Sequence, residues 1–118
     1  MGYGDLSNSR KFTEAGFEFT RTVDTPPNTI VAYGGLFGVT TEYIVADQLG
    51  WAASQGTFRF SAASNSTLTF AKGDVVTASV ASNVGTIVQS AGALKLGRAV
   101  EAKAAGSNDI IVTLIQNV

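Results

Sequence analysis

The residues able to do chemistry are few, and their types exclude more than they suggest. The 118-residue chain has no histidine and no cysteine. That removes thiol nucleophiles, disulfide frameworks, zinc fingers, iron–sulfur ligation and every imidazole-dependent triad. The serines therefore lack a base, and no Ser-x-x-Lys spacing occurs. Gly34-Gly35-Leu36-Phe37-Gly38 is glycine-rich, but a phosphate-cradling loop needs a Lys-Ser/Thr sequel and a helix. Here Val39-Thr40-Thr41 follows, which is strand sequence. These glycines instead predict a backbone that turns tightly or approaches a neighbour closely. Glu42 and Asp47 lie five apart, which on a strand points them to opposite sides. Asp74, after Gly73, reads as a turn residue whose carboxylate bonds nearby backbone. No run of acids has calcium-loop spacing. Neither a cofactor nor a metal is expected, and no catalytic residue stands out.

Two further groups could make contacts. Arg10-Lys11 is the only adjacent basic pair, with Phe12 and Glu14 beside it. A single-strand nucleic-acid groove needs several cations interleaved with stacking aromatics, so these four residues are expected instead to contact another protein or acids of this chain. Trp51, the only tryptophan, has small apolar neighbours, which favours core or interface packing. A sugar platform would instead require Trp51 exposed beside Tyr43 in a groove.

The elements that must position these residues alternate with period two. Phe17, Phe19 and Val23 share one face, with Arg21 the exception that marks an edge or a solvated end. Phe58 and Phe60 oppose Arg59, and Leu68 and Phe70 repeat the pattern. Val76, Ala78 and Val80 oppose Val75, Thr77 and Ser79, and Ile110, Val112 and Leu114 close the chain. Alternation predicts strands buried on one face. Residues 29–33 and 43–45 read as strands buried on both faces. Turn signals stand at Gly34-Gly35, Gln48-Leu49-Gly50, Gln55-Gly56, Ser64-Asn65-Ser66, Lys72-Gly73-Asp74, Asn83-Val84-Gly85, Ala91-Gly92 and residues 106–109. Their spacing is that of a sandwich or barrel. Residues 98–105 fit a helix and a strand equally. The sequence thus predicts an all-β antiparallel sandwich of about eight to nine strands. Residues 1–15 would form an extended N-terminal arm and residues 16–118 a single domain. Seven of the charges fall in residues 1–24, ahead of the Pro26-Pro27 stop.

Composition bears on partners. Charged residues are 14% of the chain, the net charge is −1 and the hydrophobic fraction is 45%. No electropositive field recommends nucleic acid. The longest charge-free run is broken by polar residues and glycines, and no apolar segment precedes it that would act as a signal peptide, so no membrane partner is expected. A charge-poor surface points to association with other protein.

One ordered set of short signatures goes further. Gly35-Leu36-Phe37-Gly38-Val39 is followed by Ala46 and Gly50, Gly56-Thr57-Phe58, Lys72-Gly73-Asp74-Val75-Val76, Leu96-Gly97-Arg98-Ala99 and the apolar strand Ile110-Ile111-Val112-Thr113-Leu114. This resembles the tailed-phage capsid cement, or decoration, proteins over about residues 16–116. Pro26-Pro27-Asn28 and Phe60-Ser61-Ala62 depart from the family's usual turn and strand ending. The resemblance implies a non-enzymatic, jelly-roll-like β-sandwich. Its partner would be the major capsid protein, bound on the capsid exterior of the virion, with the protein itself a homo-oligomer (dimer or trimer). Other phage head-completion or tail proteins, and a ligand- or glycan-binding β module, are the competing readings.

Overall fold

A computed structural model describes residues 15–61, 68–89, 94–106 and 109–115. Nine strands run through them: β1 (Gly16–Thr20), β2 (Ile30–Tyr33), β3 (Leu36–Thr40), β4 (Leu49–Ala53), β5 (Thr57–Ser61), β6 (Val75–Ala81), β7 (Val84–Val88), β8 (Leu94–Ala99) and β9 (Asp109–Leu114). The pairings below are all antiparallel, and no helix occurs among the described residues. The all-β, antiparallel expectation and its strand number are met. The jelly-roll-like order is finer than these pairings carry. The chain divides into two compact units, Met1–Gln55 and Gly56–Val118.

In the first unit the strand order is β1-β4-β3-β2. Gly34 adopts φ +62° and closes the β2–β3 hairpin, in which Ile30 opposes Val39 and Tyr33 opposes Leu36. A left-handed φ costs glycine little, so the expected tight turn is explained. Close approach is the second role foreseen for these glycines. A Cβ on Gly38 would lie 2.8 Å from the Ala53 carbonyl oxygen, and one on Gly16 would meet the Ala52 carbonyl and the Trp51 ring. Without those side chains the sheet can curl. β1 and β2 are its outer strands, three spacings apart, about 14 Å if flat. Yet the rings of Phe17 and Phe19 stand 6.4 Å and 5.8 Å from that of Tyr33. The curl brings them together over Val31, Ile44 and Ala52 to form the unit's core. Each aromatic pair contributes about 0.5–1.5 kcal/mol beyond its buried area.

In the second unit β7-β6-β8-β9-β5 is the order. Phe58 and Phe60 pack together at 6.4 Å while Arg59 stays exposed and pairs with Asp109 at 3.1 Å. Val76, Ala78, Leu96, Ile110 and Val112 are the centre of the core. Leu68 and Phe70 are buried and Thr69 is exposed, as alternation requires, but Phe70 makes only an isolated bridge to Lys103. Asp74 behaves as expected: its carboxylate accepts the Ala71 N–H at 2.8 Å.

Several expectations are corrected. Residues 43–45 are not a strand buried on both faces. Only Ile44 is buried, bridging to Thr25, while Tyr43 and Val45 are exposed. Val23 is exposed too, because β1 ends at Thr20 and the chain leaves the alternating register. Leu49-Gly50 is not a turn but the start of β4. The turn placed at Asn83-Val84-Gly85 sits one residue earlier, at Ser82-Asn83, both with positive φ. Val76, Thr77 and Ala78 are buried in succession and Val80 is exposed, and opposite Val76/Thr77 a bulge inserts an extra residue, Leu96, into β8. Of residues 98–105, the first two end β8 and the rest form no helix. In residues 29–33, Ile30 and Val31 are buried but Ala32 and Tyr33 only half so. The turns foreseen at Ser64-Asn65-Ser66, Ala91-Gly92 and Ser107-Asn108 lie outside the described residues.

Candidate functional site

The curl of the first unit opens a groove of about 670 Å³, lined by Phe17, Glu18, Phe19, Thr20, Tyr33, Gly35, Leu36 and Leu49. Successive strand residues point to opposite faces. A groove that takes four consecutive residues of β1 therefore follows the side of the strand rather than one face of the sheet. Phe17 and Phe19 are its buried floor. Leu36, 37% exposed, and Leu49, 66% exposed, are its rim. Burial raises the Tyr33 phenol above its ordinary value, and the Arg21 charge opposes that shift. The lining offers one carboxylate, one phenol and one threonine hydroxyl among apolar groups. Such a surface suits the burial of an apolar partner, worth about 25 cal/mol per Å² removed from water.

At the end of β1 the chain makes a second exposed feature. Residues 21–25 run beside 44–47: Thr25 and Ile44 exchange backbone bonds of 2.8 and 2.9 Å, and the Asp47 N–H donates to the Arg21 carbonyl. Arg21 donates to the buried Thr25 hydroxyl at 2.9 Å. The Asp24 carboxylate accepts the Tyr43 hydroxyl at 2.7 Å and the Ala46 N–H at 2.8 Å. These bonds hold Asp24 below the ordinary carboxylate range, and the bond to Asp24 raises Tyr43. Two loops are thereby fixed with Val23, Tyr43 and Val45 facing solvent.

The sequence-derived contact residues fall unevenly. Arg10, Lys11, Phe12 and Glu14 lie outside the described residues. Trp51 is half-buried on β4, opposite Glu18, with its indole over Gly16. It does not line the groove, and Tyr43 is engaged with Asp24. Sequence reading missed Tyr33, Leu36 and Leu49 as a surface. Leu49 was hidden inside an apparent turn, and an apolar residue in a turn signal was the one available clue. Among the described residues no group of His, Cys, Asp or Glu could hold a metal ion.

No curated protein and no solved structure matches the chain at a significant level. A family model does, and it spans residues 13–114, from just before β1 through the last residue of β9. The resemblance carried by the glycine signatures and the final apolar strand is thus confirmed over most of the chain, and this protein belongs to the phage cement protein family.

Proposed function

We propose that this protein binds the outside of a phage capsid and stabilises the shell, without catalysis. The observation that carries the reading is family membership over residues 13–114, which implies a structural role at the capsid. The exposed apolar groove beside β1 supports it, because a cement protein works through contact area rather than through a reaction centre. An interface of standard size buries about 1,600 Å². Engaging two capsomers at once raises the effective affinity without new chemistry. Shell stabilisation then follows from binding the assembled lattice better than the dispersed subunits.

In this reading the protein is a homo-oligomer of two or three copies on the capsid exterior, in contact with the major capsid protein. Residues 1–15 act as an arm, with Arg10, Lys11, Phe12 and Glu14 meeting a neighbouring chain. Residues 16–118 act as one jelly-roll-like domain, and Trp51 contributes to a contact. The family match spans both compact units, which supports treating them as one module. The test is to mix purified protein with empty expanded capsids, sediment them and count copies. Stoichiometric co-sedimentation is expected, and its absence overturns the reading. Deleting residues 1–14 should preserve the circular dichroism spectrum and lower capsid occupancy; unchanged occupancy removes the arm from the interface.

A further inference from the structure

Charge is distributed between the two units in a way the net value of −1 conceals. Residues 15–55 carry four acids and a single base, Arg21, a net −3. Residues 56–118 carry five bases against three acids, a net +2. Most of each excess falls in one part of the unit: three of the four acids lie on one pair of loops, and three of the five bases are Lys72, Lys95 and Arg98.

In the first unit it lies on the paired loops after β1 and before β4. Asp24, Glu42 and Asp47 are all exposed there, against Arg21, and they surround Val23, Tyr43 and Val45, each more than half exposed. The loops are held rigid by the Thr25–Ile44 bridge and by the two bonds to Asp24. An exposed apolar surface that is already ordered loses little entropy on docking.

In the second unit, two of the five bases are already committed. Arg59 pairs with Asp109, and Lys103 is buried with its ammonium on the Leu68 carbonyl at 2.7 Å. Lys72, Lys95 and Arg98 are left. Strand alternation would put Lys95 and Arg98 on opposite faces. The bulge opposite Val76/Thr77 buries both Leu96 and Gly97 and leaves Lys95 and Arg98 both exposed. Arg98 donates to the Gly73 carbonyl at 2.7 Å, which sets it beside exposed Lys72 in the adjoining turn. Asp74 of that turn has its carboxylate on the Ala71 N–H. Among the described residues none of the three cations has a carboxylate partner. Two exposed aliphatics adjoin them along the backbone: Val100, two residues after Arg98, and Ile115, whose N–H donates to the Leu96 carbonyl.

We propose that copies of this chain associate in solution head to tail, the acidic, apolar loop pair of one copy docking on the Lys72–Lys95–Arg98 face of the next. Opposite charge around exposed apolar groups on both surfaces is the arrangement that steers association and fixes its register. The two surfaces are different, so the contact is heterologous and each copy offers one of each. The inference goes beyond capsid binding and does not depend on it.

Sedimentation velocity of the full chain tests it. Wild type should associate at low ionic strength, and the association should weaken as salt is raised, because exposed charges are screened within about 10 Å at 0.1 M. Glu42→Lys with Asp47→Lys should weaken association at least about tenfold, and so should Lys95→Glu with Arg98→Glu. Circular dichroism checks that both double variants are folded. Mixed together, the two should associate again, since a basic loop pair then meets an acidic face. A wild type that stays monomeric at low salt overturns the proposal. So do folded double variants that associate as wild type does, or a mixture that stays apart.

Discussion

Replacing Gly97 by alanine adds a methyl group whose three nearest neighbours are all main-chain atoms. A Cβ there would overlap the Thr113 carbonyl oxygen and lie 2.9 Å from both the Thr113 carbonyl carbon and the Ile115 nitrogen. No side-chain rotation relieves such contacts. Relief requires β9 to move away from β8, where Val112 faces Ala99, Thr113 faces Arg98 and Leu114 faces Gly97, and where the Ile115 N–H donates to Leu96 at 3.0 Å. Overpacking of this kind costs about 1–3 kcal/mol. Weakening two ladder hydrogen bonds adds about 1 kcal/mol each. We expect Gly97→Ala to lose about 3–5 kcal/mol, a large fraction of the roughly 5–15 kcal/mol typical of a domain. For a chain of this length that lowers the melting temperature by about 10 °C or more. Gly35→Ala is the control, because a Cβ there meets nothing within 4 Å; it should stay within about 0.5 kcal/mol of wild type. Urea and thermal melts followed by far-ultraviolet circular dichroism supply both values. A Gly97→Ala protein as stable as the control would refute the steric argument.

Two other perturbations follow from the same contacts. Asp24 sits below its ordinary 3.8 and Tyr43 above its ordinary 10.0 because each bonds the other. The Asp24 share of that stability is present above pH 3.8 and lost as pH falls through its lowered folded value; the Tyr43 share is present below pH 10.0 and lost as pH rises through its raised one. The stability gap between wild type and Tyr43→Phe should therefore be flat near neutrality and shrink at both extremes in urea titrations; a gap that holds at both ends contradicts this. Lys103 is 3% exposed, with its stem packed in the second unit and its ammonium on a backbone carbonyl. Lys103→Met keeps the volume and Lys103→Ala empties it, so Met should be the more stable by about 2 kcal/mol; equal urea midpoints would show that the stem contributes nothing.

What could be read in the sequence was whatever depends on a residue and its near neighbours. Phe17/Phe19, Phe58/Phe60 and Ile110/Val112/Leu114 each alternate within one strand, so their shared face followed from period alone, with Phe58 only half-buried. Gly34 and Asp74 act through turns of a few residues and were equally plain. The groove was not legible, because it depends on a curl that needs Gly16, Gly38 and Ala52 to meet across strands far apart in the chain. Residues 43–45 misled for the opposite reason. An apolar triplet predicts burial, but Asp24 holds Tyr43 and the Ala46 backbone in a loop that faces water. The bulge at Val76/Thr77 has no sequence signature, and its outcome, two cations exposed on one strand, contradicts simple alternation.

The placement of β6 bears on whether such a chain stays in solution at all. Val75–Ala81 has no charge, no proline and three valines, the composition of a segment that stacks into cross-β fibrils when exposed. Here it is a central strand, with Thr77–Ala81 paired to β7 on one side and Val75–Ala78 paired to β8 on the other, so every residue of the segment has at least one edge covered. The bulge pins its register against a one-residue slip. Lys72 and Asp74, just ahead of it, place charge at its entrance, where gatekeeping against aggregation is most effective. A protein with only 14% charged residues thus keeps this fibril-prone segment within its sheet for as long as the second unit stays folded.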